Sequence, residues 1–524
     1  MSKPRQSSSV SVPAPIGGLN AYDSLAAMPE TDAVVMRNFY PQAYGVALRK
    51  GYQEFASGFS GIMGALMRHY APNGTQTLFA ADGAYIYNIT AGGVVGVGQR
   101  VCPSANCYWQ NVALANAVAT YCIAFNGTDN GFLYSQAGGY MALTLGDGIV
   151  AGTWKNIDPK KLVQPLVHQR RLWAVEKNST KAWYLPSDQV WGVATFFDFG
   201  GCFSQGGCLQ SLATWTVDSG LGPNDYLAAF SSAGEVAVYQ GTDPNSVTTW
   251  KLVGVFYVGA TFSRKCWTKF GGDVAFLTQY GMLTLNSVLS PDSQHVLGNL
   301  LSQKIQRLIS QVISASSSYA GWDILNFAEE NMILINVPGL VPSQTVQLAY
   351  NSLTKAWTLF NGMPAEAWLA TKSSLMFAGD ERVFLAWQGY RDGVEQDGTG
   401  GNNIVAECQQ AFSYFSLPGV TKHYKMVRPT FLHESVFNYR IGANMGFDFT
   451  TSPRPASNPR NDFGMWDASL WDSNAAWKGG TETSKLWSSV VGVSFAAAPR
   501  IAIDASSEVV WIATDWLMEK GGVI

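Results

Sequence analysis

Apolar and polar positions alternate along most of this chain in short runs, and the runs come in pairs. An apolar strand, a polar turn and a second apolar strand recur as Phe79–Asn88, Ile123–Tyr134, Leu172–Leu185, Ala228–Gln240, Ala275–Asn286, Leu325–Val337 and Leu375–Trp387. The second arms begin at Gly83, Gly131, Lys181, Gly234, Gly281, Asn331 and Glu381, at steps of 48, 50, 53, 47, 50 and 50 residues. Period-2 alternation marks half-buried strands. A fixed period of roughly 40–50 residues carrying strands predicts a β-propeller with one blade per repeat. Seven hairpins fit six or seven blades, because the first or last can belong to a blade closed by the other terminus. Further strands end in Trp250 and Trp357, which read as packing between blades.

One segment departs from the strand pattern. Leu297–Ser314 spaces Leu297, Leu300, Leu301, Ile305, Leu308, Ile309 and Val312 at helical offsets. It predicts a helix inserted between two hairpins and packed on the propeller.

The two ends differ from the middle. Residues Met1–Pro15 are polar, rich in Ser and Pro, and read as a flexible arm, after which the segment to Phe55 is punctuated by Gly and Pro. QDGTGG (Gln396–Gly401) reads as a linker into a second β region with strands in Ile404–Leu417, Lys425–His433 and Phe437–Met445 and a final pair. The expected class is all-β: a propeller over residues 61–396, between an N-terminal arm (1–60) and a second, C-terminal β region (397–524). In the C-terminal region Trp466, Trp471 and Trp477 stand in a polar setting. They read as interface anchors, with a sugar-stacking platform as the alternative.

Composition narrows the functional classes. Only 14% of the 524 residues are charged, against a typical ~25%. With 18 Trp and 53 Gly, this suits a strand-rich fold with covered surface. A net charge of −3 without a basic run gives no support for tight nucleic-acid binding. Seven cysteines without a CxxC pair argue against a disulfide framework or a zinc site. The start lacks the apolar core of a signal peptide, and no apolar stretch is long enough to suggest a membrane span.

No catalytic constellation emerges. The five histidines (His69, His168, His295, His423, His433) fall in no ligand spacing, and His423 and His433, flanking a predicted strand, read as surface residues. Gly92–Gly98 reads as a turn rather than a phosphate loop. The acidic pairs Asp218/Asp225, Glu329/Glu330 and Asp467/Asp472 are the candidates for paired-carboxylate hydrolysis, although Asp is common at turn starts for backbone reasons alone. The expectation is a protein without enzymatic activity and without a cofactor or metal.

The ends also carry a resemblance. Gly17–Tyr52 contains Asn38, the pair Tyr40–Pro41, Gly45, Arg49 and Gly51, and the chain closes with ATDWLMEKGGVI. Both segments resemble the tail nozzle or tail tubular proteins of short-tailed, podovirus-type bacteriophages. The resemblance implies a structural virion protein assembled in the bacterial host cytoplasm. Six copies would form a ring below the portal–adaptor complex, continue the DNA ejection channel and hold tail fibres. DNA would pass without sequence-specific binding through a neutral or acidic lumen. The resemblance further implies a β-rich platform domain made by pairing the N-terminal arm (1–60) with the C-terminal region (397–524), with the propeller inserted between them. The competing reading is a carbohydrate-binding or carbohydrate-cleaving propeller, with an axial pocket lined by Trp and carboxylates.

Overall fold

In the computed structural model, residues 7–218, 223–246, 248–289, 300–449, 452–456 and 481–523 are described. Most of the chain is strand, and seven antiparallel blades follow one another in sequence, five as separate small sheets and the last two as parts of a larger sheet. Blade 1 holds Ala65–Tyr70, Gln76–Ala81, Tyr85–Asn88 and Arg100–Val101. Blade 2 runs from Gln110 to Ala142, blade 3 from Leu162 to Asp198, and blade 4 from Leu209 to Tyr257. Blade 5 has three strands within Trp267–Thr284, blade 6 has four within Asp323–Phe360, and blade 7 has three within Ala367–Ala386. The first strand of each blade packs against the next blade, and that of blade 7 returns to blade 1. The chain is therefore an all-β protein built on a seven-bladed propeller.

The ring is closed by the N-terminal segment. Tyr52–Ser57 pairs antiparallel with Arg382–Ala386 and supplies the fourth strand of blade 7. By sequence this strand counted with the N-terminal arm; its pairing belongs to the propeller. Gly93–Val94, from the glycine-rich turn, runs parallel to its Ala56–Ser57 end.

Among the described residues blade 5 has three strands, and the chain continues from it into a helical insertion. The helix runs Gln306–Ser316, after a 3₁₀ turn at Gln303–Ile305. Ile305, Ile309 and Ile313 are buried at i, i+4 and i+8, which gives the turn and helix one apolar face toward the main core. Lys304 pins the turn to the N-terminal arm through Asp32 Oδ1 (2.9 Å) and the Gly17 carbonyl (3.0 Å).

The platform consists of two sheets sharing a core. In one, Val509–Val523 lies beside Val420–His433, Gly45–Leu48 and Ser7–Pro13. Ser7–Pro13 is thus a paired strand, in register from Ser7↔Glu519 to Pro13↔Ala513, where its composition predicted a flexible arm. In the other, Asp32–Arg37, Gly400–Gln410, Ala497–Ala505 and Asn438–Met445 are neighbours. Strand Ala497–Ala505 alternates buried and half-buried positions over most of its length, as expected of a sheet with one face on a core. Phe39, Tyr424, Phe431, Ile501, Trp511 and Trp516 fill the space between the sheets.

Platform and propeller are continuous. The second sheet joins the outer strand of blade 6 through Arg37↔Leu359 and the closing strand of blade 7 through Arg391–Val394. Gln396–Gly401, expected as a linker, contains the turn of the hairpin joining Arg391–Val394 to Gly400–Gln410. Its Gly and Asp content serves a tight turn within one sheet.

Candidate functional site

The residues of the terminal pattern converge at the seam between propeller and platform. Asn38 adopts a left-handed backbone (φ 55°), which Asn tolerates better than most residues. Its side-chain carbonyl accepts from Arg49 Nε and from the Asn361 amide, both at 2.9 Å. Its amide nitrogen donates to Asn361 Oδ1 (2.5 Å) and to the Val405 carbonyl (2.8 Å). The Arg49 side chain is fully buried. It donates to Asp392 through both Nη atoms (2.8 and 2.6 Å), and to the carbonyls of Lys50 (3.0 Å) and Asn361 (2.7 Å). With Asn38, all five guanidinium N–H groups are used.

The other pattern residues build the surroundings. Tyr40 donates to the Glu330 carbonyl at 2.8 Å and meets Trp387 edge-on at 5.5 Å. The Pro41 carbonyl accepts from Asn351 at 2.9 Å. A Cβ on Gly45 would stand 2.8 Å from the Trp511 carbonyl oxygen, and one on Gly51 only 1.9 Å from that of Arg391. Glycine is required at both by close backbone approach. The six residues thus form one fixed joint. Asp392, its half-buried counter-charge, was missed by sequence reasoning, since its link to Arg49 spans 343 residues.

Trp466, Trp471 and Trp477 lie outside the described residues, as do Asp467, Asp472 and His295. Glu330 pairs with Lys50 at 3.1 Å in its turn, and Asp225 accepts from Gln169 at 2.6 Å. His423 is partly exposed beside Glu519, at 3.9 Å. His433, expected at the surface, is 1% exposed and meets Phe437 edge-on. Its strand is covered by Val509–Val523 on one side and Glu482–Lys485 on the other. Trp250 stacks on Trp173 of blade 3 at 6.0 Å, an inter-blade position as expected, whereas Trp357 packs into the core shared with the platform. All seven cysteines are free.

A second site lies on the propeller axis. A cavity of about 300 Å³ is lined by Gly64, Gln110, Val163, Gln210, Lys265, Asp323 and Glu366, each in or close before the first strand of its blade. A second chamber of about 290 Å³ shares Gln110, Arg264, Lys265 and Asp323 with it. Lys265 pairs with Asp323 at 3.1 Å, and Glu366 accepts the Met63 amide at 2.9 Å. Burial raises both carboxyls above their usual range, with Lys265 opposing this at Asp323 and the Met63 amide at Glu366. Trp322 in the wall is buried, donates to the Ser316 carbonyl at 2.9 Å and packs on Phe262. Neither carboxylate was singled out by sequence, because nothing local marks a residue near the axis. Among the described residues no group of three His, Cys, Asp or Glu side chains is arranged to hold a metal ion, and no helix is long and apolar enough to cross a membrane.

No family model and no curated protein matches this chain. Among solved structures it is similar to the β-propeller domain of Cps50 (Swd1) from Myceliophteria thermophila. That similarity has 9% identity and a TM-score of 0.39, over 63% of this chain and 97% of the other.

Proposed function

We propose that this chain is a structural tail protein of a short-tailed bacteriophage. Six copies would form a nozzle ring that continues the DNA channel below the portal–adaptor complex and supports fibres. The observation that carries this reading is the seam: the residues that resemble nozzle proteins join a propeller to a platform through a network of hydrogen bonds and shared strand pairing. A part that guides DNA under load needs stiffness there rather than chemistry.

The platform also offers an apolar surface suited to a neighbouring copy. Val491 and Val493, on one face of Ser488–Ser494, are 81% and 67% exposed, and Trp487 beside them is stacked under Arg428 at 4.5 Å. Exposed apolar groups of this kind mark interaction surfaces. The test is native mass together with class averages of the protein, alone and mixed with its portal–adaptor complex. Six copies around a central hole support the reading, and a monomer that ignores the adaptor overturns it. The carbohydrate reading has one observation in its favour, an axial cavity whose wall holds Trp322, Asp323 and Glu366.

A further inference from the structure

The charges around the axial cavity are unevenly satisfied. Asp323 has Lys265, Glu366 has the Met63 amide, and Lys177 at the rim donates to the Gly127 carbonyl at 3.2 Å. Arg264 is the exception. Its Nε is enclosed without a partner, and among the described residues its guanidinium makes no ion pair or hydrogen bond. Arg264 is half-buried, and a guanidinium whose Nε is enclosed without a partner carries a desolvation cost that a ligand can offset. Desolvation accordingly lowers its affinity for the proton.

The surroundings restrict what can answer that charge. A guanidinium fork matches a carboxylate in two parallel hydrogen bonds. One free guanidinium with both carboxylates already held suits a single negative charge rather than a cation. The remaining wall is amide and aromatic: Gln110, Gln210, Tyr108 and Tyr319, the two tyrosines being 43% and 37% exposed. Side-chain amides bind hydroxyls, and an amphipathic ring covers the flat face of a polar ring. The volume is at the lower end for small-ligand pockets and fits one sugar ring with room for a linkage.

We infer that the propeller axis is a binding site for an acidic sugar residue, a pyranose bearing a carboxylate, held by Arg264 between Tyr108 and Tyr319. The site belongs to the isolated chain and does not depend on the ring assembly, so the two readings fail separately.

The test uses saturation-transfer NMR on the full chain with sodium D-glucuronate, D-glucose, sodium acetate and inorganic phosphate. Glucuronate is expected to bind at least tenfold more tightly than glucose or acetate and to resist displacement by phosphate. Arg264→Met should lose glucuronate binding at least tenfold while its melting temperature stays unchanged or rises, because a partly desolvated, unpaired charge is removed. Arg264→Lys keeps the charge without the fork, gives the same readout should the Met variant fail to fold, and is expected to bind several-fold more weakly. Equal binding of glucose, displacement by phosphate, no transfer from glucuronate, or an Arg264 variant that binds as the parent does would each overturn the inference.

Discussion

Arg49 and Asp392 form a two-pronged ion pair across the seam of the molecule, at 2.8 and 2.6 Å, with the Arg49 side chain wholly shielded from water. Removing one partner leaves the other charged and buried. Asp392→Ala is therefore expected to cost about 3–5 kcal/mol in denaturant unfolding. Arg49→Lys should also destabilise, since a lysine cannot serve Asn38, Asn361 and Asp392 together. A Asp392→Ala protein as stable as the parent would show that the pair is not a structural bond.

Gly51 and Gly83 make a matched comparison. The Arg391 carbonyl oxygen stands 1.9 Å from where a Gly51 Cβ would lie, while Gly83 has open space around it. Gly51→Ala should lower stability by about 1–3 kcal/mol through overpacking against rigid backbone. Gly83→Ala should stay within about 0.5 kcal/mol of the parent. Thermal melts of the two variants side by side decide it; equal shifts would contradict the close approach at Gly51.

His168 gives the fold an acid-sensitive point. It is 2% exposed, its Nδ1 lies 2.8 Å from Thr214 Oγ1, and burial lowers its pKa to about 4, with Asp225 opposing. Between that value and the ordinary 6.5, the unfolded chain binds a proton that the folded chain refuses. Its stability contribution is full above pH 6.5 and declines as pH falls toward 4, by up to about 3 kcal/mol. Unfolding curves from pH 7.5 to 4 should show a smaller slope for His168→Gln. An unchanged slope would place the acid sensitivity elsewhere.

The closing strand of blade 7 yields a prediction about fragments. A chain of residues 61–396 lacks Tyr52–Ser57 and leaves the Arg382–Ala386 edge without its partner. Open strand edges invite pairing between chains. The fragment should elute as aggregates in size-exclusion chromatography, and a peptide spanning residues 50–58 should shift it toward monomer. A monodisperse fragment that ignores the peptide would mean the ring closes without this strand.

The propeller was legible because each hairpin is local and its alternation is complete within a dozen residues. The fifty-residue beat nevertheless concealed an irregularity. Six hairpins join the second and third strands of their blades, but Leu325–Val337 joins the first and second strands of blade 6. Blade 5 shows three strands among the described residues, and the helical insertion after it keeps the spacing, so the rhythm survived a change of phase. The seam was only half legible. Asn38, Arg49 and Gly51 stood in a visible pattern, while Asp392 and Asn361 carry no local mark of their role. The axial cavity was invisible for the same reason, because its lining is gathered from all seven blades and from the runs Phe262–Lys265 and Tyr319–Asp323. His433 misled because a polar residue at a strand end reads as exposed unless the neighbouring strands are known.

Ring closure by an early strand has a consequence in time. Ser7 meets Glu519, 512 residues later, and Tyr52 waits for Ala386. At ~5–20 residues per second of synthesis, the first strand stays without its partner for roughly half a minute to two minutes. Blades 1 to 4 are built from strands close in sequence and can form as they leave the ribosome. The seam and the platform are completed only when the last strand has been made. A chain interrupted before Val509 would present a nearly finished propeller with unpaired strands at both platform sheets. Such a chain is a natural client for chaperones, and translation to the end acts as the checkpoint for a usable subunit.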